Sequence, residues 1–237
     1  MNTRTDWKIQ FDREEIVRVQ GAGFARFLER PGKRAEWESA LGEAQELAAP
    51  AAAWDQFPIH EMKHDTLILS NGMRIGGGPV TTVTGGASVL IVAVCTVGAA
   101  LSQRVEEHQR NKQLLRGVLL DDLGSWAVDQ VRQQLCRWLA EGATRQDLHV
   151  STTLSPGEST WPVSEQAVLF SLLDTTSIGV ALSPSMVMRP LKSISLIMGM
   201  GSNVMGAEGA EHCDYCTINE RCGYRARQKE SPRAAAV

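Results

Sequence analysis

The sequence predicts an α+β fold in which helices flank a twisted antiparallel sheet. Three observations support this prediction: helical apolar spacing near the N-terminus, a central region with hairpin chemistry, and two short apolar runs late in the chain. The chain has 237 residues, of which 43% are hydrophobic and 22% charged. This composition is enough for a packed core, and it excludes disordered, collagen-like and disulfide-stapled proteins.

Two helices are expected in the first 60 residues. Between residues 12 and 28, apolar side chains recur near helical spacing after an acidic first turn, although Gly21 and Gly23 weaken the helix. After the Pro31-Gly32 break, residues 33–48 form a second helical stretch. The Ala- and Pro-rich segment 50–58 is expected to end that helix.

A β-region is expected from about residue 65 to residue 95. Residues 66–70 and 73–75 flank Asn71-Gly72, a dipeptide that favours a type I′ hairpin turn. The Gly-rich segment 75–87 is interpreted as turns and bulges. A phosphate-binding loop is rejected because no Lys-Ser/Thr follows the glycines and no helix is expected directly after them. The apolar run 88–101 reads as a buried strand, since it is too short to span a membrane.

A long amphipathic helix is predicted from residue 101 to about residue 141, and its apolar stripe should cover the sheet. Gly124-Ser125 marks either a close packing point or a kink. A loop with two prolines follows, then a helix of about ten residues capped near Ser164, and then strands at 178–182 and 193–198. The residues expected in the apolar stripe are Leu115, Val118, Leu119, Leu123, Val131, Leu135 and Trp138.

Three segments between residues 65 and 201 carry a family resemblance. They are Ser155-Pro156-Gly157 with Trp161-Pro162, residues 169–174, and residues 182–195. In order and spacing they resemble the activation domain of vitamin B12-dependent methionine synthase, and especially its free-standing relatives near corrinoid methyltransferases. The resemblance implies a twisted antiparallel sheet. In methionine synthase, that domain presents S-adenosylmethionine to an oxidised cobalamin while another protein supplies the electron.

The resemblance also implies a ligand pocket. In the family, an Arg three residues before the Pro-Gly pair and a Tyr directly after it help to hold S-adenosylmethionine. Thr153 and Glu158 stand at these positions here, so the ligand is not expected to be held in the family's manner. Arg189 is the candidate anion or cofactor anchor, although a plain surface arginine is slightly favoured. The candidate cofactor-binding residues are Ser155, Gly157, Glu158, Trp161, Ser185 and Arg189.

Three cysteines near the C-terminus predict a metal site. Cys213, Cys216 and Cys222 follow a C-x2-C-x5-C pattern. The N-terminus shows no apolar export signal, so a cytoplasmic location is expected, where clustered cysteines are more often metal ligands or redox thiols than structural disulfides. A [4Fe–4S] cluster is favoured and needs a fourth ligand from another cysteine, a nearby histidine, a substrate or a partner. The alternative is zinc, with His212 as a further ligand.

Other candidate residues have plainer interpretations. His60 and His64 have the spacing of a helical metal pair, but a surface turn is favoured. Cys95, at the end of an apolar strand, and Cys136, in a helix, are expected to be packed thiols, although Cys95 stays a candidate fourth ligand. The sequence contains no hydrolase, zinc-protease or dinucleotide-binding motif.

The expected organisation has four segments: a helical segment at 1–60, an α+β core at 61–201, a cysteine segment at 202–225 and a tail at 226–237. The net charge of −3 gives no reason to bind nucleic acid or an anionic membrane, so small molecules and proteins are the expected partners. The leading hypothesis is an iron–sulfur protein that acts with cobalamin or a corrinoid protein in methyl transfer or reductive activation. The alternatives are a zinc-stabilised assembly module and a methyltransferase with an altered S-adenosylmethionine site. Oligomeric state and enzymatic status stay open.

Overall fold

The N-terminal part is helical in the computed structural model, which describes residues 1–158 and 160–204. Asp12 accepts the backbone N–H of Glu15 at 2.9 Å and caps the first helix. Gly21, with φ 85°, then separates two short helices, so the stretch predicted as one helix is two. The second predicted helix is confirmed. The elements are β1 (Asn2–Arg4), α1 (Arg13–Gln20), α2 (Ala22–Leu28) and α3 (Lys33–Leu47).

The segment expected to end the second helix is in fact a long strand. The elements that follow are β2 (Ala51–Lys63), β3 (Thr66–Leu69), β4 (Arg74–Gly76), α4 (Val80–Val83) and β5 (Val89–Thr96). β2 pairs with β1 on one edge and with β5 along its other edge. These pairings outweigh the low strand propensity of alanine. The predicted surface turn is therefore wrong for His60, which lies in β2, and right for His64, which lies in the turn that follows.

The hairpin of β3 and β4 is confirmed, but its turn differs from the prediction. Gly72 has φ 83°, whereas Asn71 does not share the positive φ that a type I′ turn needs. Asn71 instead accepts the backbone N–H of Met73 through its side-chain oxygen at 3.0 Å. The Gly-rich segment makes turns, as expected. A short helix, α4, does open after Pro79, contrary to the expectation.

The long helix predicted after β5 is two helices, α5 (Ala99–Arg110) and α6 (Leu114–Thr144). The break falls at Lys112, whose φ is 59°, and Gly124 lies inside the continuous α6. A Cβ atom on Gly124 would lie 2.6 Å from Leu101 Cδ2, so this glycine marks a close packing point. Within the predicted apolar stripe, Val118 is 57% exposed, and Trp138 is 40% exposed although its ring contacts that of Trp54 in β2, with the ring centroids 5.2 Å apart.

The C-terminal part of the described chain closes the sheet. Its elements are β6 (His149–Val150), α7 (Gln166–Leu172), β7 (Ala181–Leu182), β8 (Met188–Arg189) and β9 (Ser193–Gly201). The strand predicted at 193–198 is confirmed as β9. The strand predicted at 178–182 is reduced to β7, which within residues 1–158 and 160–204 pairs with β8 alone. Ser164 does not cap α7, which follows a 3₁₀ turn and has no side-chain cap.

The antiparallel sheet has the strand order β4-β3-β2-β5-β9-β6, and β1 also pairs with β2. Helix α6 covers one face of β5 and β9, packing Val131 and Leu135 against residues such as Ala93 and Leu196. The other face is covered by α4, α7 and Trp161. Helices α1 to α3 pack against α5 and the first half of α6. The predicted α+β class is therefore confirmed. Within the described ranges, no helix is long and apolar enough to cross a membrane.

A charged cluster joins three helices around Glu43 of α3. The carboxylate of Glu43 contacts His108 Nε2 of α5 at 2.8 Å and accepts from Arg116 Nε of α6 at 2.6 Å. Arg104 Nη1 lies 3.2 Å from the same carboxylate, and Gln113 Oε1 lies 2.7 Å from His108 Nδ1. Burial raises the pKa of Glu43, but hydrogen bonds from His108 and Arg116 outweigh it and hold the pKa below its ordinary value of 4.5.

Replacing Glu43 with Gln should lower the free energy of unfolding at neutral pH by about 2 kcal/mol, because charge-assisted hydrogen bonds are lost. A lowered pKa means that the charged form stabilises the fold above the unfolded pKa, and that this contribution is lost as the pH falls through the folded pKa. Urea unfolding of wild type and Glu43→Gln at pH 7 and pH 3 measures this. The difference between the two proteins should be smaller at pH 3 than at pH 7. Glu46→Gln, at an exposed position of the same helix, is the control. If Glu43→Gln lowered the free energy of unfolding by the same amount at both pH values, the prediction would be contradicted.

Candidate functional site

A cavity of about 390 Å³ opens beside β9, between α6 and the loop that follows β6. Its volume falls within the range of small-molecule pockets. Its walls come from distant parts of the chain. The polar residues that matter below are Asp129, Arg132, Thr153, Ser155, Glu158, Gln166, Ser193 and Ser195.

The cavity lies where the neighbouring strand leaves the sheet. Residues 149–154 run antiparallel to β9, and the last pair is Leu154 with Ile197, joined by hydrogen bonds of 3.1 and 2.9 Å. The next residue that would pair with β9 is Pro156, which has no N–H to donate, because the N–H of Ser155 points away from β9. That N–H is donated to Glu158 Oε2 at 2.9 Å, which turns the chain into the loop. The strand therefore ends at this point, and no other strand of the described part of the chain lies beside the first part of β9 on this side.

Trp161 fixes this loop to the Gly-rich segment. Its side chain is 1% exposed, and its indole N–H is donated to the carbonyl oxygen of Gly76 at 3.1 Å. Gly157 donates its N–H back to the Trp161 carbonyl at 3.0 Å. A Cβ atom on Gly78, which has φ 55°, would lie 2.7 Å from the Trp161 backbone nitrogen. The glycines thus allow two stretches of backbone to approach closely.

The floor of the cavity is polar and buried. Ser193 and Ser195 of β9 are 8% and 3% exposed. Ser195 Oγ donates to Gln166 Oε1 at 3.2 Å, and Gln166 donates its amide to the Met186 carbonyl at 3.1 Å. The hydroxyl of Ser193 bonds the hydroxyl of Thr96 at 2.9 Å. These bonds fix the positions of the side chains at the base of the cavity.

Arg132 supplies the cationic group of the cavity from the middle of α6. Its Nε and Nη2 lie 2.7 and 2.6 Å from Asp129 Oδ1, which orients the guanidinium. Its Nη1 lies 3.4 Å from Thr153 Oγ1. Sequence reasoning missed Arg132, because an i,i+3 pair with Asp129 on a helix is also typical of a solvated face. Only the fold brings it beside Thr153, 21 residues later.

The fold brings only some of the ligand-binding residues predicted from the sequence to the cavity. Ser155 and Glu158 line the cavity. Gly157 and Trp161 belong to the same loop, and Trp161 lies behind it in the core. Ser185 bonds Ser183 in an exposed turn, and Arg189 is exposed in β8; neither lines the cavity, although Met188 does.

The remaining cysteines are packed thiols, as expected. Cys95 is wholly buried beneath α6, and Cys136 packs at the edge of the same cluster. Burial raises the pKa of Cys95 far above its ordinary range and that of Cys136 to about 11. Since the thiolate is the metal-binding form, both are poor ligands at neutral pH. Across residues 1–158 and 160–204, no three His, Cys, Asp or Glu side chains group to hold a metal ion. Cys213, Cys216, Cys222 and His212 lie outside the described residues.

The comparisons with known proteins concern the fold. No family model and no curated protein matches the sequence. Among solved structures, the crystal structure of the MetH reactivation domain bound to AdoHcy matches with a TM-score of 0.50 and 14% sequence identity. The fold is that of a MetH reactivation domain. The match covers 77% of this chain and 69% of that chain, and it confirms the fold that the sequence resemblance implies.

The contact between Gly78 and Trp161 can be tested by adding one methyl group. Gly78→Ala should lower the free energy of unfolding more than Gly179→Ala, although both sites have positive φ, of 55° and 66°. At Gly179 nothing lies within 4 Å, so only the backbone strain of about 1 kcal/mol remains. At Gly78 the Trp161 backbone must also move, and we expect a further loss of about 1 to 2 kcal/mol. Urea unfolding of both variants measures the difference, and equal losses would show that this close approach does not hold the loop.

Proposed function

We propose that this protein binds S-adenosylmethionine or its demethylated product in the cavity beside β9, as a component of a corrinoid-linked methyl-transfer or reductive-activation system. The observation that carries the proposal is the guanidinium of Arg132 in a cavity walled by the Ser155-Pro156-Gly157 loop. The fold supports it, because the MetH reactivation domain, a solved structure with this fold, is bound to AdoHcy.

Arg132 replaces the cation that the loop lacks. The resemblance expects an arginine at position 153, where the short side chain of Thr153 stands. Arg132 reaches the same place from α6 and contacts the Thr153 hydroxyl. A guanidinium held by a carboxylate keeps its charge and can still donate to a second carboxylate. The ligand would therefore be held from the helix and not from the loop.

The carboxylate of Glu158 has a structural task in the same loop. It accepts the N–H of Ser155, and the Glu158 N–H is donated to the Ser155 carbonyl at 3.0 Å. This pair of bonds closes the turn that ends the strand. Glu158 therefore shapes the cavity wall, and its negative charge suits a ligand that carries a sulfonium or an ammonium group.

Calorimetric titration of the full chain with S-adenosylmethionine and with S-adenosylhomocysteine tests the proposal. Both should bind, and Arg132→Gln should weaken binding by about tenfold or more, since a charge-assisted hydrogen bond to the ligand is lost. Arg137→Gln, at an exposed position of the same helix, should leave the affinity unchanged. Absence of heat with either ligand at millimolar concentration would contradict the proposal.

We further propose that Cys213, Cys216 and Cys222 hold a [4Fe–4S] cluster, with zinc bound by these cysteines and His212 as the alternative. The support is the C-x2-C-x5-C spacing. A cluster would supply low-potential electrons, which reductive activation of a corrinoid requires. The corrinoid itself would be carried by a partner protein or bound directly.

Anaerobic purification with metal and sulfide analysis and electron paramagnetic resonance distinguishes the two metals. We expect iron and sulfide in equal amounts, lost in Cys216→Ser and retained in Cys136→Ser, because Cys136 is packed against the core. One zinc per chain without iron would favour the zinc alternative and remove the iron–sulfur proposal.

A further inference from the structure

The outer edge of β9 offers main-chain hydrogen-bonding groups to the cavity. Val97 donates to the Lys192 carbonyl, and the Cα pairs of β5 and β9 continue without a shift from Thr96 with Ser193 to Val89 with Met200. The even-numbered residues of β9 therefore bond β5. Ile197, an odd-numbered residue, bonds Leu154 on the side of β9 that faces away from β5. In an antiparallel strand, the N–H and C=O of one residue point to the same side. Ser195, two residues before Ile197, therefore directs both groups away from β5 and toward the outer edge.

These two groups lie at the buried base of the cavity. Ser195 is 3% exposed and lines the cavity, and among the described residues neither its N–H nor its C=O has a hydrogen-bond partner on the outer edge. Buried main-chain groups are nearly always paired in proteins. Since the strand 149–154 turns away after Leu154, a bound molecule can occupy the place of its next residue.

Arg132 lines the same cavity as the main-chain groups of Ser195. It is oriented by Asp129 and contacts Thr153, the residue before Leu154. The edge of β9 therefore offers a neutral donor, the Ser195 N–H, and a neutral acceptor, the Ser195 C=O. Helix α6 offers the guanidinium of Arg132 to the same cavity. A molecule that carries a hydrogen-bond donor and a carboxylate on the same carbon atom matches this arrangement. An α-amino acid, with its ammonium and carboxylate groups on the α-carbon, has that chemistry.

We propose that the cavity recognises the amino-acid end of its ligand by strand-like pairing with Ser195 of β9, with Arg132 as the partner of the carboxylate. The ligand ammonium donates to the Ser195 carbonyl, and the Ser195 N–H donates to the carboxylate. This inference rests on the proposed function, because it specifies which part of the S-adenosylmethionine class of ligand determines affinity. The adenosyl part then lies toward the opening of the cavity.

Two probes that differ only at the amino-acid end test the inference. S-adenosylhomocysteine carries that end, whereas 5′-methylthioadenosine keeps the adenosyl thioether and lacks it. We expect the first to bind about 100-fold more tightly, because two charge-assisted hydrogen bonds are involved. Arg132→Gln should reduce this preference about tenfold, Arg132→Lys should reduce it less, and neither change should affect 5′-methylthioadenosine.

A second measurement follows the strand edge itself. In nitrogen-15 spectra of the full chain, the Ser195 amide should shift and exchange more slowly with S-adenosylhomocysteine than with 5′-methylthioadenosine. Equal affinity of the two probes, or an unchanged Ser195 amide, would overturn the inference and leave the proposed function standing. Failure of both probes to bind would contradict the proposed function and this inference with it.

Discussion

The missing N–H of Pro156 sets the point at which β9 stops being an inner strand, because Pro156 is the next residue after Leu154 that would pair with it. The Ser155 N–H faces away from β9 and closes the turn by donating to the Glu158 carboxylate. Up to Leu154 the chain pairs with β9, and after it the N–H groups are either used in the turn or absent at Pro156. The C-terminal part of β9 therefore lies between two neighbouring strands, whereas its N-terminal part forms the edge of the sheet. The cavity, its polar floor and its backbone groups all follow from that change.

The alternation of side chains along β9 separates the apolar core from the polar floor of the cavity. Leu196 and Met198 point toward α6 and the core, while Ser193 and Ser195 point toward the cavity. Because side chains alternate in a strand, a polar site and an apolar core can share consecutive residues without mixing. Helix α6 repeats the arrangement, since Val131 packs in the core and the adjacent Arg132 reaches the cavity.

Local patterns predicted the elements whose state depends on their own residues. Helix α3, the β3–β4 hairpin and strands β5 and β9 follow from apolar periodicity and turn chemistry. Strand β2 was not predicted by local patterns, because its alanines and Pro58 form a strand only by pairing with β1 and β5. The break at Lys112 lacked a glycine or proline to mark it. The loop residues Ser155 and Glu158 were found by resemblance, whereas Arg132 was not, because its proximity to Thr153 exists only in the folded chain.

The length of α6 has a consequence for how separable the parts of this protein are. Its 31 residues span roughly 46 Å, and Arg116 and Arg132 are separated along it by roughly 24 Å. Arg116 is tied to the N-terminal layer through Glu43, while Arg132 faces the cavity. Loss of the N-terminal helices would bare Leu119, Leu120 and Leu123 on the helix that positions Arg132. The N-terminal layer and the cavity are therefore physically coupled through α6 and do not form independent modules.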